Sequence, residues 1–119
     1  MIKFKSPVIS NNTWTLCLKN KEEMAKIYFD NGNQEEGIRL HGITEYITST
    51  IYIDKELEDF LLVKALRHEL MHIYLWETGQ QDRKYTEEEI CDLISVAAPL
   101  ICQTADEIVL RLKKEKYMK

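Results

Sequence analysis

The chain has 119 residues, of which 45% are apolar and 30% charged, a composition typical of a folded globular protein rather than a disordered one. A chain of this length can form its own hydrophobic core without disulfides, so we expect a single domain over residues 1–119. The formal net charge is −4. Nucleic-acid binding requires a concentrated basic surface, and we therefore expect no nucleic-acid partner.

The amino-terminal residues 1–5 are not followed by a long apolar segment, so no signal peptide is predicted. No apolar run reaches the roughly 18 residues needed to cross a bilayer. The three cysteines are odd in number and show no C-x-x-C spacing, which disfavours a disulfide framework and a cysteine-ligated zinc site. These features predict a cytoplasmic protein without a membrane partner.

In chain order, the first predicted elements are a strand and a short helix. Residues 14–18 alternate between polar and apolar side chains as a strand does, and residues 20–29 fit an amphipathic helix capped by Asn20. Residues 38–46 and 50–53 are rich in β-branched and aromatic side chains. The short segment between them is typical of a hairpin turn, so we predict two antiparallel strands.

A long helix is predicted next, from about Lys55 to Glu77, with Asp54 as its cap and Gly79 as its stop. Apolar side chains occur on most of its sides. Such a pattern is typical of a buried central helix. Polar groups inside it would be costly to bury unless they were paired or bound to a metal ion.

Within this helix, residues 68–72 form the H-E-x-x-H pentapeptide His68-Glu69-Leu70-Met71-His72. Helical residues four apart lie about 40° apart around the axis, so both imidazoles project from one face. Two neutral imidazoles in this arrangement can bind one Zn²⁺, and the adjacent Glu69 can act on a metal-bound water as a general base. The competing interpretation is two ordinary histidines on a helix. The motif therefore predicts a hydrolytic zinc site with Glu69 as its catalytic residue.

A third metal ligand is needed, and the acidic segment after the loop is the natural source. Thr86 and Glu89 have the spacing of a capping box, which gives Glu89 a structural role. Glu88 and Asp92 lie four apart on one helical face. We predict Glu88 as the third ligand and Asp92 as a carboxylate that accepts the second N–H of a zinc-bound histidine. Glu89 and Glu87 remain alternatives, as does an acidic run that only complements the helix dipole.

The pentapeptide followed by Glu88-x-x-x-Asp92 resembles the pattern of gluzincin metallopeptidases. Roughly residues 38–108 are similar to the small ImmA/IrrE-type metallopeptidase domains common in phages and integrative elements of Gram-positive bacteria. Gly42-Ile43-Thr44-Glu45-Tyr46 and Thr50-Ile51-Tyr52-Ile53-Asp54 are similar to the hairpin that precedes the active helix there. In two respects the chain departs from these relatives: Asp92 stands where they often have Asn, and no helix-turn-helix domain is attached.

The resemblance implies an intracellular zinc endopeptidase whose protein substrate is, in the best-known members, a transcriptional repressor of a mobile element. We expect an α+β zincin-like domain with a short antiparallel sheet packed on the central helix and a C-terminal helical segment. Tyr85 and His41 are candidates for stabilising the transition-state anion. The alternatives are a non-catalytic, zinc-stabilised protein-binding module of the same fold and a hydrolase of a non-peptide substrate. No oligomeric state follows from the sequence.

Overall fold

The computed structural model describes residues 1–32 and 40–119, which form an α+β domain with a four-stranded sheet and three helices. The elements follow one another along the chain as β1 (Ile2–Lys5), β2 (Thr13–Lys19), α1 (Lys21–Asp30), β3 (Gly42–Glu45), β4 (Thr50–Asp54), α2 (Asp59–Glu77) and α3 (Glu87–Lys114). The part of the predicted strand before residue 40 lies outside the described residues.

The sheet has the strand order β1-β2-β4-β3 and is mixed. The predicted hairpin is confirmed, since β3 and β4 pair antiparallel from Gly42 opposite Ile53 to Glu45 opposite Thr50. The prediction of an antiparallel sheet is wrong, because β2 and β4 are parallel. The connection between them includes α1, and a crossover of that length returns the chain to the end of the sheet from which β2 started.

Strand β1 was not predicted, and it pairs antiparallel with β2. Its side chains alternate, with Ile2 and Phe4 buried and the lysines between and after them exposed. This period of two is the usual signal of a half-buried strand. The segment is only four residues long, which is too short for the alternation to be distinctive.

Helix α2 begins four residues later than predicted, at Asp59 instead of Lys55. The Asp54 carboxylate accepts a hydrogen bond from the backbone N–H of Glu56 at 2.8 Å, so it stabilises a turn before the helix rather than capping the helix. The predicted C-terminal end is confirmed: the helix ends at Glu77, and Gly79 has a φ of 70°, a conformation that favours glycine.

The prediction that α2 is buried on nearly all sides is wrong, because one side of the helix is open to solvent. Its buried side includes Leu62, Leu66 and Ile73, which belong to the core between the sheet and the helices. On other sides Phe60 is 76% exposed and Trp76 is 41% exposed. Composition alone suggested burial, whereas in the described residues the helix packs mainly against β3, β4 and α3, and its Trp76 also meets Trp14 of β2.

Helix α3 starts with the predicted capping box. The backbone N–H of Glu89 donates to Thr86 Oγ1 at 3.2 Å, and the backbone N–H of Thr86 donates to Glu89 Oε1 at 3.2 Å. The helix continues through Pro99. Its buried side chains recur every three or four residues and pack into the core; they include Ala97, Ile101, Ala105, Ile108 and Leu112.

By length and composition alone, α3 is also apolar enough to cross a membrane. This was not predicted, because polar residues interrupt its apolar sequence. The core helix of a soluble protein has the same properties. Here the helix places a regular stripe of buried side chains against α2 and β1. Only 28% of the apolar 18-residue window of α3 is buried, and Ile94, Val96 and Leu110 of the same helix are exposed, so this packing accounts for part of its apolar composition.

Candidate metal centre

The two histidines of the pentapeptide lie side by side on α2. The Nε2 atoms of His68 and His72 are 3.2 Å apart, and the ring centroids are 4.9 Å apart at an interplanar angle of 73°. The His68 side chain is 68% exposed, so this face of the helix is accessible from solvent. The helix alone produces this pairing, because side chains four residues apart lie on the same helical face, one turn above the other.

The distance between these nitrogens fits a shared zinc ion. Zn–N bonds are about 2.0–2.1 Å long, and at a tetrahedral angle two ligand nitrogens lie about 3.3 Å apart. The observed 3.2 Å therefore fits a zinc ion bound between His68 and His72 with little side-chain movement. Without a metal, the same distance suits a hydrogen bond from one neutral imidazole to the other.

Glu69 differs from its two neighbours because it is buried, with only 4% of its surface exposed. Its Oε1 accepts a hydrogen bond of 2.9 Å from the hydroxyl of Thr44 on β3. Its Oε2 lies 3.8 Å from His68 Nε2. The carboxylate is thus held from the strand side by one oxygen and presents the other toward the histidines.

Strand β3 crosses close to Glu69, and Gly42 is what permits this approach. A Cβ atom at position 42 would lie 2.8 Å from Glu69 Cγ, 2.9 Å from Cδ and 3.0 Å from Oε2. Gly42 and Thr44 are two residues apart, so both lie on the face of β3 toward α2. Sequence reasoning missed both residues as parts of the site, although the alternation along the strand would have placed them together.

The electrostatic environment of Glu69 raises the pKa of its carboxyl group. The main cause is burial, which disfavours the charged form, while the Thr44 hydrogen bond and the charges of His68 and His72 act in the opposite direction. A carboxylate with a raised pKa is a stronger base. This is the property that a general base needs near neutral pH.

A further aromatic residue, Tyr46, follows Thr44 on the same side of the chain. Its ring stacks on Trp76 with centroids 5.3 Å apart and an interplanar angle of 28°. Burial raises the pKa of Tyr46, and the negative charge of Glu69 adds to this shift, whereas a hydrogen bond with the Gln81 side chain opposes it. Trp76 lies one helical turn beyond His72, so an aromatic wall flanks the histidine pair at this end.

Glu88 is exposed in the first turn of α3 and is not part of the histidine cluster. Within residues 1–32 and 40–119, the metal-ligating groups that lie within 4.8 Å of one another are His68, Glu69 and His72. At 100° per residue, Glu88 lies about 140° around the helix from the buried Ile101. Asp92 lies about 180° from Ile101 and is also exposed. The role of Glu88 as third ligand and the role of Asp92 beside a histidine stay predictions.

The two candidates for anion stabilisation lie in different places. His41 lines a cavity of about 230 Å³ together with Gly42, His68 and Glu69. The hydroxyl of Tyr85 donates a hydrogen bond of 2.7 Å to Gln80 Oε1, and its ring lines a separate groove beside α3. The structure therefore brings His41, and not Tyr85, to the cavity of the histidine cluster.

Compared with known proteins, the chain matches no family model, no curated protein and no solved structure. The chemistry available at the site follows from its side chains. Two imidazole nitrogens 3.2 Å apart can bind a divalent metal ion. The buried carboxylate beside them can accept a proton, and the adjoining cavity has room for a small part of a substrate.

Proposed function

We propose that this protein is a zinc-dependent endopeptidase that hydrolyses peptide bonds of a protein substrate. The observation that supports this most directly is the pair of Nε2 atoms of His68 and His72, 3.2 Å apart, beside the buried carboxylate of Glu69. A buried carboxylate directly beside the two imidazoles is what distinguishes this arrangement from two ordinary helical histidines. A hydrolytic zinc site uses all three groups.

In this proposal His68 and His72 hold Zn²⁺, and Glu88 supplies the third protein ligand. Bound zinc would provide Lewis acidity, which polarises the scissile carbonyl and acidifies water. For Glu88 to take part, the first turn of α3 must come closer to the histidines than it lies in the described structure. Most proteins move little on binding, but a substantial minority rearrange a loop or segment by more than about 2 Å, and this assignment requires such a movement.

Glu69 moves the proton. Its Oε1 is held by the Thr44 hydroxyl, so Oε2, on the side of His68, is the atom that accepts the proton from the attacking water. The same atom then delivers the proton to the nitrogen of the departing amine as the C–N bond breaks. His41 borders the same cavity, and we assign to it the donation of a hydrogen bond to the oxygen that becomes negative in the transition state.

Strand β3 supports the choice of a polypeptide as the substrate. It is the last strand in the sheet order, and its inward face carries Gly42 and Thr44 against Glu69. An extended polypeptide can add to an exposed strand edge through main-chain hydrogen bonds. The substrate implied by the resemblance, a transcriptional repressor of a phage or mobile element, is our proposal for its identity.

A second candidate is a non-catalytic module in which zinc stabilises a protein-binding surface. It is favoured by one observation: within the described parts of the chain, the cluster contains two histidines and Glu69 but no third ligand from another element. Such a module would need His68 and His72 for stability. It would not need the basicity of Glu69.

Both candidate functions require a zinc site, and the zinc content of the purified protein shows whether that site exists. Wild type purified without added metal should contain about one zinc ion per chain, and His72→Ala should lose it because a single imidazole cannot chelate the ion. The measurement is elemental mass spectrometry with a folded state confirmed by circular dichroism. His41→Ala is the matched control and should retain the metal. A folded wild type that takes up no zinc from a stoichiometric solution would refute the site.

The third ligand is tested by a pair of neighbouring substitutions. Glu88→Gln should weaken zinc binding by at least about 100-fold. Removing a residue that only hydrogen-bonds to a metal ligand costs up to about this much, and Glu88 is proposed to be a ligand itself. Glu87→Gln, in the same helical turn, should leave the affinity unchanged. Competition with a chromophoric chelator gives both dissociation constants. Equal affinities for the two variants would exclude Glu88 from the metal site.

A further inference from the structure

A second and larger cavity lies between the first half of α2 and the C-terminal part of α3. Its volume is about 520 Å³, within the range of ligand-binding sites. Apolar side chains line it, namely Phe60, Val63, Val109 and Met118. Phe60 is 76% exposed, so most of an aromatic ring lies in contact with water at this cavity. Covering that ring would stabilise a complex.

The rim of this cavity is positively charged. The side chains of Lys64, Arg67, Lys113 and Lys119 surround it, and Asp59 contributes the acidic side chain among the lining residues. All four cations are exposed, and none belongs to the ion pairs formed within residues 1–32 and 40–119. This concentration of positive charge occurs in a chain whose net charge is −4. The cavity therefore complements a ligand that is both apolar and anionic.

Helix stability does not account for this arrangement. Lys113 lies in the last turn of α3, where a cation favours the helix dipole. Lys64 and Arg67 lie in the N-terminal half of α2, far from its C-terminal end, and gain nothing from the dipole. Their positions beside an exposed aromatic ring are those expected of a binding surface.

This cavity adjoins the metal centre. Lys64 lines it and also lines the smaller cavity of His41, His68 and Glu69. Lys64 and His68 are one helical turn apart, a rise of about 6 Å, which roughly two residues of extended polypeptide can span. One polypeptide segment can therefore occupy both cavities at once.

We propose that the cavity of Phe60 and Lys113 binds an acidic polypeptide segment that carries one large apolar side chain. The apolar side chain covers Phe60, and carboxylates on either side of it pair with the cations of the rim. The further assignment of this segment to the substrate cleaved at Glu69 rests on the proposed function. Binding itself requires neither zinc nor hydrolysis.

The test uses the full chain carrying Glu69→Gln, so that binding is measured without cleavage. The probe is a fluorescein-labelled peptide with one Phe flanked on each side by two Glu residues, followed by fluorescence anisotropy. Lys113→Glu and Phe60→Ala should each weaken its binding by at least about fivefold. The matched controls are Lys26→Glu, an exposed cation on α1, and Ile94→Ala, an exposed apolar residue on α3. Both controls should bind as the parent does.

Two comparison ligands complete the experiment. A peptide with Lys in place of Glu should not bind, and added salt should weaken binding of the acidic peptide by screening. The proposal is overturned if the acidic peptide fails to bind, or if Lys26→Glu weakens it as much as Lys113→Glu does. It is also overturned if dodecanoate binds and the peptide does not, because the cavity would then be a site for small amphiphiles.

A cleavage assay with zinc-loaded protein separates this proposal from the proposed function. If the peptide binds as expected but no acidic peptide is cut, the binding surface stands and the endopeptidase proposal fails. If acidic peptides are cut with the same KM by wild type and Lys113→Glu, the endopeptidase proposal stands and the docking role of this cavity is refuted.

Discussion

Replacing Glu69 by Gln should lower kcat/KM for peptide hydrolysis by about a thousandfold while leaving the zinc content unchanged. Gln has nearly the shape of Glu, and its amide oxygen can still accept the Thr44 hydrogen bond that holds Glu69 Oε1 at 2.9 Å. The fold around the buried side chain should therefore persist. What the amide lacks is a basic oxygen, so no group remains to take the proton from water.

The measurement is the appearance of cleaved products from a peptide library, followed by mass spectrometry, with both proteins loaded with zinc. Glu58→Gln is the control, because Glu58 is exposed at the N-cap of α2 and makes no capping hydrogen bond. It should cleave as wild type does. Undiminished cleavage by Glu69→Gln would remove Glu69 from the mechanism. Full biological activity of that variant would favour the non-catalytic module.

Replacing Gly42 by Ala should destabilise the protein by about 1–3 kcal/mol and reduce hydrolysis together with it. The added methyl group would lie 2.8 Å from Glu69 Cγ and 2.9 Å from Cδ, closer than van der Waals contact allows. Either β3 must move away from α2 or the Glu69 side chain must leave its position. Both changes weaken the Thr44 hydrogen bond and displace the carboxylate from the histidines.

Urea denaturation of four proteins separates this clash from a general effect on β3. The set is wild type, Gly42→Ala, Glu69→Ala and the double variant. If the clash is with Glu69, Gly42→Ala should cost little in the Glu69→Ala background, because the atoms that it meets are gone. An equal cost in both backgrounds would show that the methyl group acts elsewhere. Hydrolysis is compared only between Gly42→Ala and wild type.

Much of the local structure was predictable from the sequence because it depends on neighbours in the chain. The β3–β4 hairpin, the helix over the pentapeptide and the capping box of Thr86 and Glu89 all follow from patterns only a few residues long. The end of α2 near Gly79 is likewise predictable from a local signal, a glycine just after the helix. The parallel pairing of β2 with β4 was not predictable in this way, because it is a contact between distant segments.

That His68 and His72 lie together follows from their spacing in the chain, because the helical period of 3.6 residues brings side chains four apart onto one face. The burial of Glu69, which raises the pKa of its carboxyl group, depends instead on tertiary packing, because β3 lies against this side chain. Tertiary packing also buries one stripe of α3 in the core and leaves Glu88 on the opposite, exposed side of the helix. Helix geometry is local, whereas burial depends on which distant surfaces exclude water together.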